Sequence, residues 1–126
     1  MSRTIQPGDL RAAVNEILED YAGEVEEAMD KAVRDTATDA VRALKASNPG
    51  FADKTYSKGW TKKVTKHRLY SEATVYNKTE GHLTHLLEFG HALRNGGRAR
   101  AFPHIAPVND KVPEMFEGNF TEALNI

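Results

Sequence analysis

Between Asp9 and Ala46 the apolar positions Leu10, Val14, Ile17, Leu18, Tyr21, Val25, Ala28, Met29, Ala32, Val33, Ala37, Ala40, Val41 and Leu44 return every three or four residues. That is the spacing of one long amphipathic helix. Asp9 is its expected N-cap and Ser47-Asn48-Pro49-Gly50 its expected stop. Unbroken, such a helix runs about 55 Å, which exceeds the width of a compact domain of this size. Two arrangements resolve the excess: the helix breaks near Gly23, or a neighbouring subunit covers part of its apolar face.

Beyond a polar connection through Lys54-Thr55-Tyr56-Ser57-Lys58-Gly59, the period shortens to two over Trp60 to Lys66 and Leu69 to Asn77. These runs predict a β-hairpin, with Leu69, Ser71, Ala73 and Val75 on one face and Tyr70, Glu72, Thr74 and Tyr76 on the other. Neither face is strongly apolar and an isolated hairpin is marginal. The hairpin is therefore expected to pack on the long helix and to recruit a third strand near Arg98 to Phe102; extension across a subunit boundary is the alternative. Thr79 to Glu88 predicts a short helix burying Leu83, Leu86, Leu87 and Phe89, and Val108 to Leu124 a terminal helix starting after Pro107. The expected fold is α+β in a single domain, residues 1–126: a long N-terminal helix on a small antiparallel sheet, then a short central and a C-terminal helix.

Between the last two helices lies a segment built for sharp turns. Gly90 stands where a helix end calls for a left-handed residue, and Asn95-Gly96-Gly97 tolerates positive φ. Pro103 and Pro107 should hold Phe102 and Ala106 extended, placing His104 and Ile105 on a stiff hydrated ribbon. Such a ribbon suits docking against another protein.

Composition narrows the class. With 126 residues, 40% hydrophobic and 28% charged, the chain fits one globular core, and no apolar run approaches the ~20 residues of a membrane span. There is no cysteine for a disulfide, thiolate or soft metal site, and MSRTIQPGDL lacks signal architecture, so synthesis in a reducing cytoplasm is expected. The net charge of -1 conceals segregation: residues 9–44 carry ten acids and four bases, whereas residues 45–104 carry eleven bases and four acids. The two halves can satisfy each other internally or pair head to tail between copies.

The pieces Tyr56-Ser57-Lys58-Gly59-Trp60, Val75-Tyr76-Asn77 and LTHLLEFGHALRNGGRARAFPHIAP (residues 83–107) resemble the gene-product-ten-like proteins of long-tailed bacteriophages. The resemblance runs in order over residues 50 to 112, and the long N-terminal helix also sits where that family places one. It implies a neck or tail-completion protein of the virion, made in the host cytoplasm and closing into a sixfold ring where tail tube meets head connector. The partners so implied are copies of itself, the tail tube or tail terminator protein, and the head-connector proteins. It brings no catalytic residues and no cofactor.

Under that resemblance the docking loop is His91, Arg94, Arg98, Arg100 and His104, whose arginines can grip carboxylates with two bonds each. Trp60 is a candidate core or interface anchor, with the core preferred, and Glu88 can accept bonds from the N–H groups of the following loop or pair with Arg94. The residue types present bear on three other chemistries. His82, His85 and Glu88 at spacings of three, with His91 nearby, carry metal-binding residue types but lack the His-Glu-x-x-His arrangement, so His85 and His91 read as hydrogen-bonded structural groups. Lys58, Lys62, Lys63, Lys66 and Arg68, interleaved with Tyr56, Trp60 and Tyr70, could track a nucleic-acid backbone, though the chain is slightly acidic overall and no stable nucleic-acid complex is expected. No nucleophile elbow or phosphate-binding glycine loop is present, and no enzyme is predicted.

Overall fold

The computed structural model describes residues 7–47 and 54–125. Helix α1 (Pro7–Ala46) runs without interruption through Gly23, and an added Cβ at that glycine would meet only open space. Pro7, the first described residue, is already helical. Asp9 therefore lies in the first turn, where a carboxylate suits the helix dipole, and is not the N-cap. Of the expected stop, Ser47 forms a turn, with its N–H on Ala43 O at 3.0 Å; Asn48-Pro49-Gly50 lies outside the described residues.

The expected polar connection contains a short helix, α2 (Lys54–Lys58), because Tyr56 and Ser57 are buried against the core and Trp60 follows at once. Strands β1 (Trp60–Lys66) and β2 (Ser71–Asn77) form the hairpin, in register from Trp60 opposite Asn77 to Lys66 opposite Ser71. Ser71, Ala73, Val75 and Asn77 turn inward, as their alternating burial shows, while Leu69 belongs to the exposed turn. On β1 the inward-facing Lys62 extends its ammonium to Thr38 Oγ1 and Arg34 O of α1, which lets a long charged side chain cover an apolar helix flank.

The anticipated third strand does not join this sheet. β3 (His91–Ala92) and β4 (Arg98–Ala99) pair with each other in a separate ribbon. The intervening residues close locally: Gly96 adopts φ 88°, Leu93 N donates to Gly97 O at 2.7 Å and Gly96 N to Leu93 O at 3.2 Å. The tight turn pairs β4 with β3, and neither strand is hydrogen-bonded to the hairpin.

The central helix starts later than its periodicity suggests. Asn77 Oδ1 accepts the N–H groups of Thr79 and Glu80 at 3.2 and 2.9 Å, an Asx turn that holds the chain out of the helix. A 3₁₀ turn (Gly81–Leu83) then leads into α3 (Thr84–Phe89). Its buried side is Leu87 and Glu88, and Phe89 is exposed, contrary to expectation. Helix α4 (Ile105–Leu124) begins three residues early and takes Pro107 into its first turn, where no N–H is required.

Helix α4 returns along the C-terminal half of α1. Val108 packs with Ala40 and Leu44, and Asn119 Nδ2 donates to Thr36 Oγ1 and Asp39 Oδ2 at 3.1 and 3.0 Å. The core is Ala40, Leu44, Tyr56, Trp60, Leu87 and Val108, so Trp60 takes the core role preferred for it. All of these lie at one end of α1. The other end, from Asp9 to Glu27, projects as an arm.

Candidate functional site

The arginine-bearing ribbon owes its position to what lies beneath it. Gly90 ends α3 at φ 75°, and the ribbon crosses so near that a Cβ there would stand 2.6 Å from Ala99 O and 3.3 Å from Ala101 N. Only glycine meets both demands. Gly90→Ala should destabilise the protein by about 1–3 kcal/mol and make the ribbon the first point of cleavage, measured by urea titration with limited proteolysis.

From this base Arg94, Arg98 and Arg100 reach solvent. Arg98 Nη2 donates to Phe89 O at 3.4 Å, and the Arg100 guanidinium lies 5.4 Å from the centre of the Phe102 ring, within cation–π range. Two of the three cations are thus partly pre-positioned. His91 is half-buried, with a buried Nδ1 that has no hydrogen-bond partner among the described residues. His104 is not on the ribbon surface at all, being 4% exposed.

His104 belongs instead to a buried polar clamp. Glu88 Oε1 accepts the backbone N–H groups of His104 and Ile105, each at 2.8 Å, and Oε2 accepts that of Ala106 at 3.1 Å. One carboxylate thereby satisfies three N–H donors at the start of α4, and no side chain at the cap position does so. Burial alone would push the Glu88 carboxyl up, but the three backbone N–H groups outweigh it and hold the carboxyl below its ordinary value. The His104 ring fits the tautomer protonated at Nδ1, which lies 2.8 Å from Phe102 O, leaving Nε2 to accept from the Tyr56 hydroxyl at 2.5 Å. Burial raises the Tyr56 phenol further from ionisation. Trp60 meets both rings edge-on, at 5.8 and 6.1 Å between centroids.

The other candidate chemistries are dispersed. His82 and His85 are exposed while Glu88 turns inward to α4, so the anticipated common face does not form. Among the described residues no three histidine or carboxylate side chains could hold one metal ion. On the hairpin, Tyr56 and Trp60 are buried and cannot stack on bases; Tyr70 remains outside, stacked on His67 at 4.4 Å. No helix among the described residues is long and apolar enough to cross a membrane.

A second surface was not visible in the sequence. Helix α1 floors a trough of about 710 Å³ whose walls are β2 and α4, with Ala37, Ala40, Ala73, Val75, Val108 and Val112 among its lining. It exists because sheet and α4 each pack on α1 without closing on one another.

The chain thus combines a helix-backed hairpin, an exposed arginine-bearing ribbon and a buried polar clamp. Residues 12–90 match the family described as "Bacteriophage HK97-gp10, putative tail-component". The chain belongs to this family, and with it to the structural components of bacteriophage tails. The match takes in most of α1, the hairpin and α3, and ends where the arginine ribbon begins. No curated protein and no solved structure matches the chain.

Proposed function

We propose that this tail component completes the tail at its head-proximal end, closing into a sixfold ring between tail tube and head connector and docking through the arginine ribbon. The observation that carries this reading is the mounting of Arg94, Arg98 and Arg100. Three exposed guanidinium groups stand on a short ribbon whose two stems are fixed, one by the close crossing at Gly90 and the other by the Glu88 clamp. A pre-organised cationic edge of this kind loses little entropy on meeting carboxylates of a neighbouring virion protein. The protein works by assembly and not by turnover.

Arg98→Glu with Arg100→Glu tests the reading, since both side chains are exposed and the fold should be unchanged by circular dichroism and melting. The expected result is heads and tails that accumulate unjoined, with infectivity reduced by about a hundredfold or more, the scale of two lost charge-assisted contacts. Full infectivity of the double variant would exclude docking through the ribbon. Imaging of intact particles tests the ring independently.

A further inference from the structure

The arm of α1 carries an apolar stripe that no other described residue covers. Leu10, Val14, Ile17 and Tyr21 follow at helical spacing and are 52%, 45%, 66% and 62% exposed. Four and seven residues further on, the same face holds half-buried Val25 and buried Ala28. The stripe that forms core in the body of the molecule therefore continues without a break into solvent. Single exposed apolar residues are ordinary, but a continuous row of them marks a contact surface.

Charge limits what can cover it. Residues 9–27 hold seven acids and one base, and no ion pair among the described residues involves an acid N-terminal to Asp30. Two arms lying together would oppose net charges of -6 and -6, so arm-to-arm pairing is disfavoured. The complementary surface is on the same chain: residues 60–77 carry four bases and one acid, and β2 from this hairpin forms one wall of the apolar trough. An arm cannot reach its own trough, because it is the uninterrupted continuation of the helix that floors it. At about 28 Å for its 19 residues, it is long enough to reach a neighbouring molecule.

We infer that the arm of one copy seats its Leu10 to Tyr21 stripe in the trough of the next, with its carboxylates against that copy's hairpin lysines and Arg68. Ridge and trough are different surfaces, so the contact is heterologous and repeats head to tail around a closed ring. The inference rests on the ring reading above and deepens it by naming the two contacting surfaces.

The absence of cysteine allows a clean test. Full-length Ile17→Cys and Ala73→Cys proteins are prepared separately, mixed, and treated with a short bis-maleimide, both in solution and in assembled tails. The expected product is a covalent pair that forms only in the mixture. Val14→Glu with Tyr21→Glu, both at exposed positions, should leave melting unchanged and weaken self-association by about tenfold or more. Ile17→Cys protein that cross-links to itself, or no mixed product in solution or in tails, overturns the arm-in-trough contact. Sedimentation of the unmodified protein separates the two readings: a closed oligomer without the mixed product defeats this contact and leaves the ring intact.

Discussion

Replacing Glu88 by alanine should lower stability by about 3–5 kcal/mol, the range for removing one member of a buried charged network and orphaning its donors. The side chain is 6% exposed, and its loss would leave the N–H groups of His104, Ile105 and Ala106 without their acceptor. Glu88→Gln keeps one oxygen but turns an amide N–H₂ toward donors, so it should fall between alanine and the parent. Urea unfolding followed by tryptophan fluorescence measures both, because Trp60 lies beside His104 in the same cluster. A loss below about 1 kcal/mol for the alanine variant would mean that the clamp is not what holds α4.

The same carboxylate sets an acid limit. Its pKa is lowered on folding from an ordinary value of 4.5. The stabilisation is therefore complete above that value and is lost as pH falls through the lower folded pKa. Parent protein should lose stability on acidification below about pH 5 more steeply than Glu88→Gln, which has no proton to gain there. Parallel profiles for the two proteins would show that other carboxylates govern acid unfolding.

Trp60→Ala should destabilise by about 3–5 kcal/mol, the range for emptying a large aromatic site. The indole is 4% exposed and packs against Tyr56, His104, Ala40 and Leu44. Trp60→Phe is the informative companion. Indole Nε1 has no hydrogen-bond partner among the described residues, so phenylalanine forfeits only volume and should cost about 1–2 kcal/mol. Equal losses for the two variants would show that the indole N–H, and not the packing, matters at this position.

Elements with strong local periodicity could be read directly from the chain. The long helix, the hairpin and the two later helices follow from apolar spacing, and Gly90 from the demand for positive φ at a helix end. What escaped were features set by partners distant in sequence. Phe89 has the composition of a core residue and Glu88 that of a surface one, yet burial reverses them, because the N-terminus of α4 needs an anion 16 to 18 residues upstream. The possibility that Glu88 would bond following N–H groups was legible; that they would belong to α4 and not to the glycine loop was not. His104 was misplaced for the same reason, since Pro103 and Pro107 suggest an extended ribbon only until the clamp draws Ile105 into a helix. The trough had no sequence signal, as it depends on how two elements leave space above a third.

The position of Glu88 also orders events in time. Helix α4 contains Pro113 in its interior and has no capping side chain of its own, so it gains its anchor only after the chain from Phe89 to Pro103 has looped back. That closure brings β3 and β4 together in the same movement, and a nascent chain that has not completed it offers no fixed cationic edge.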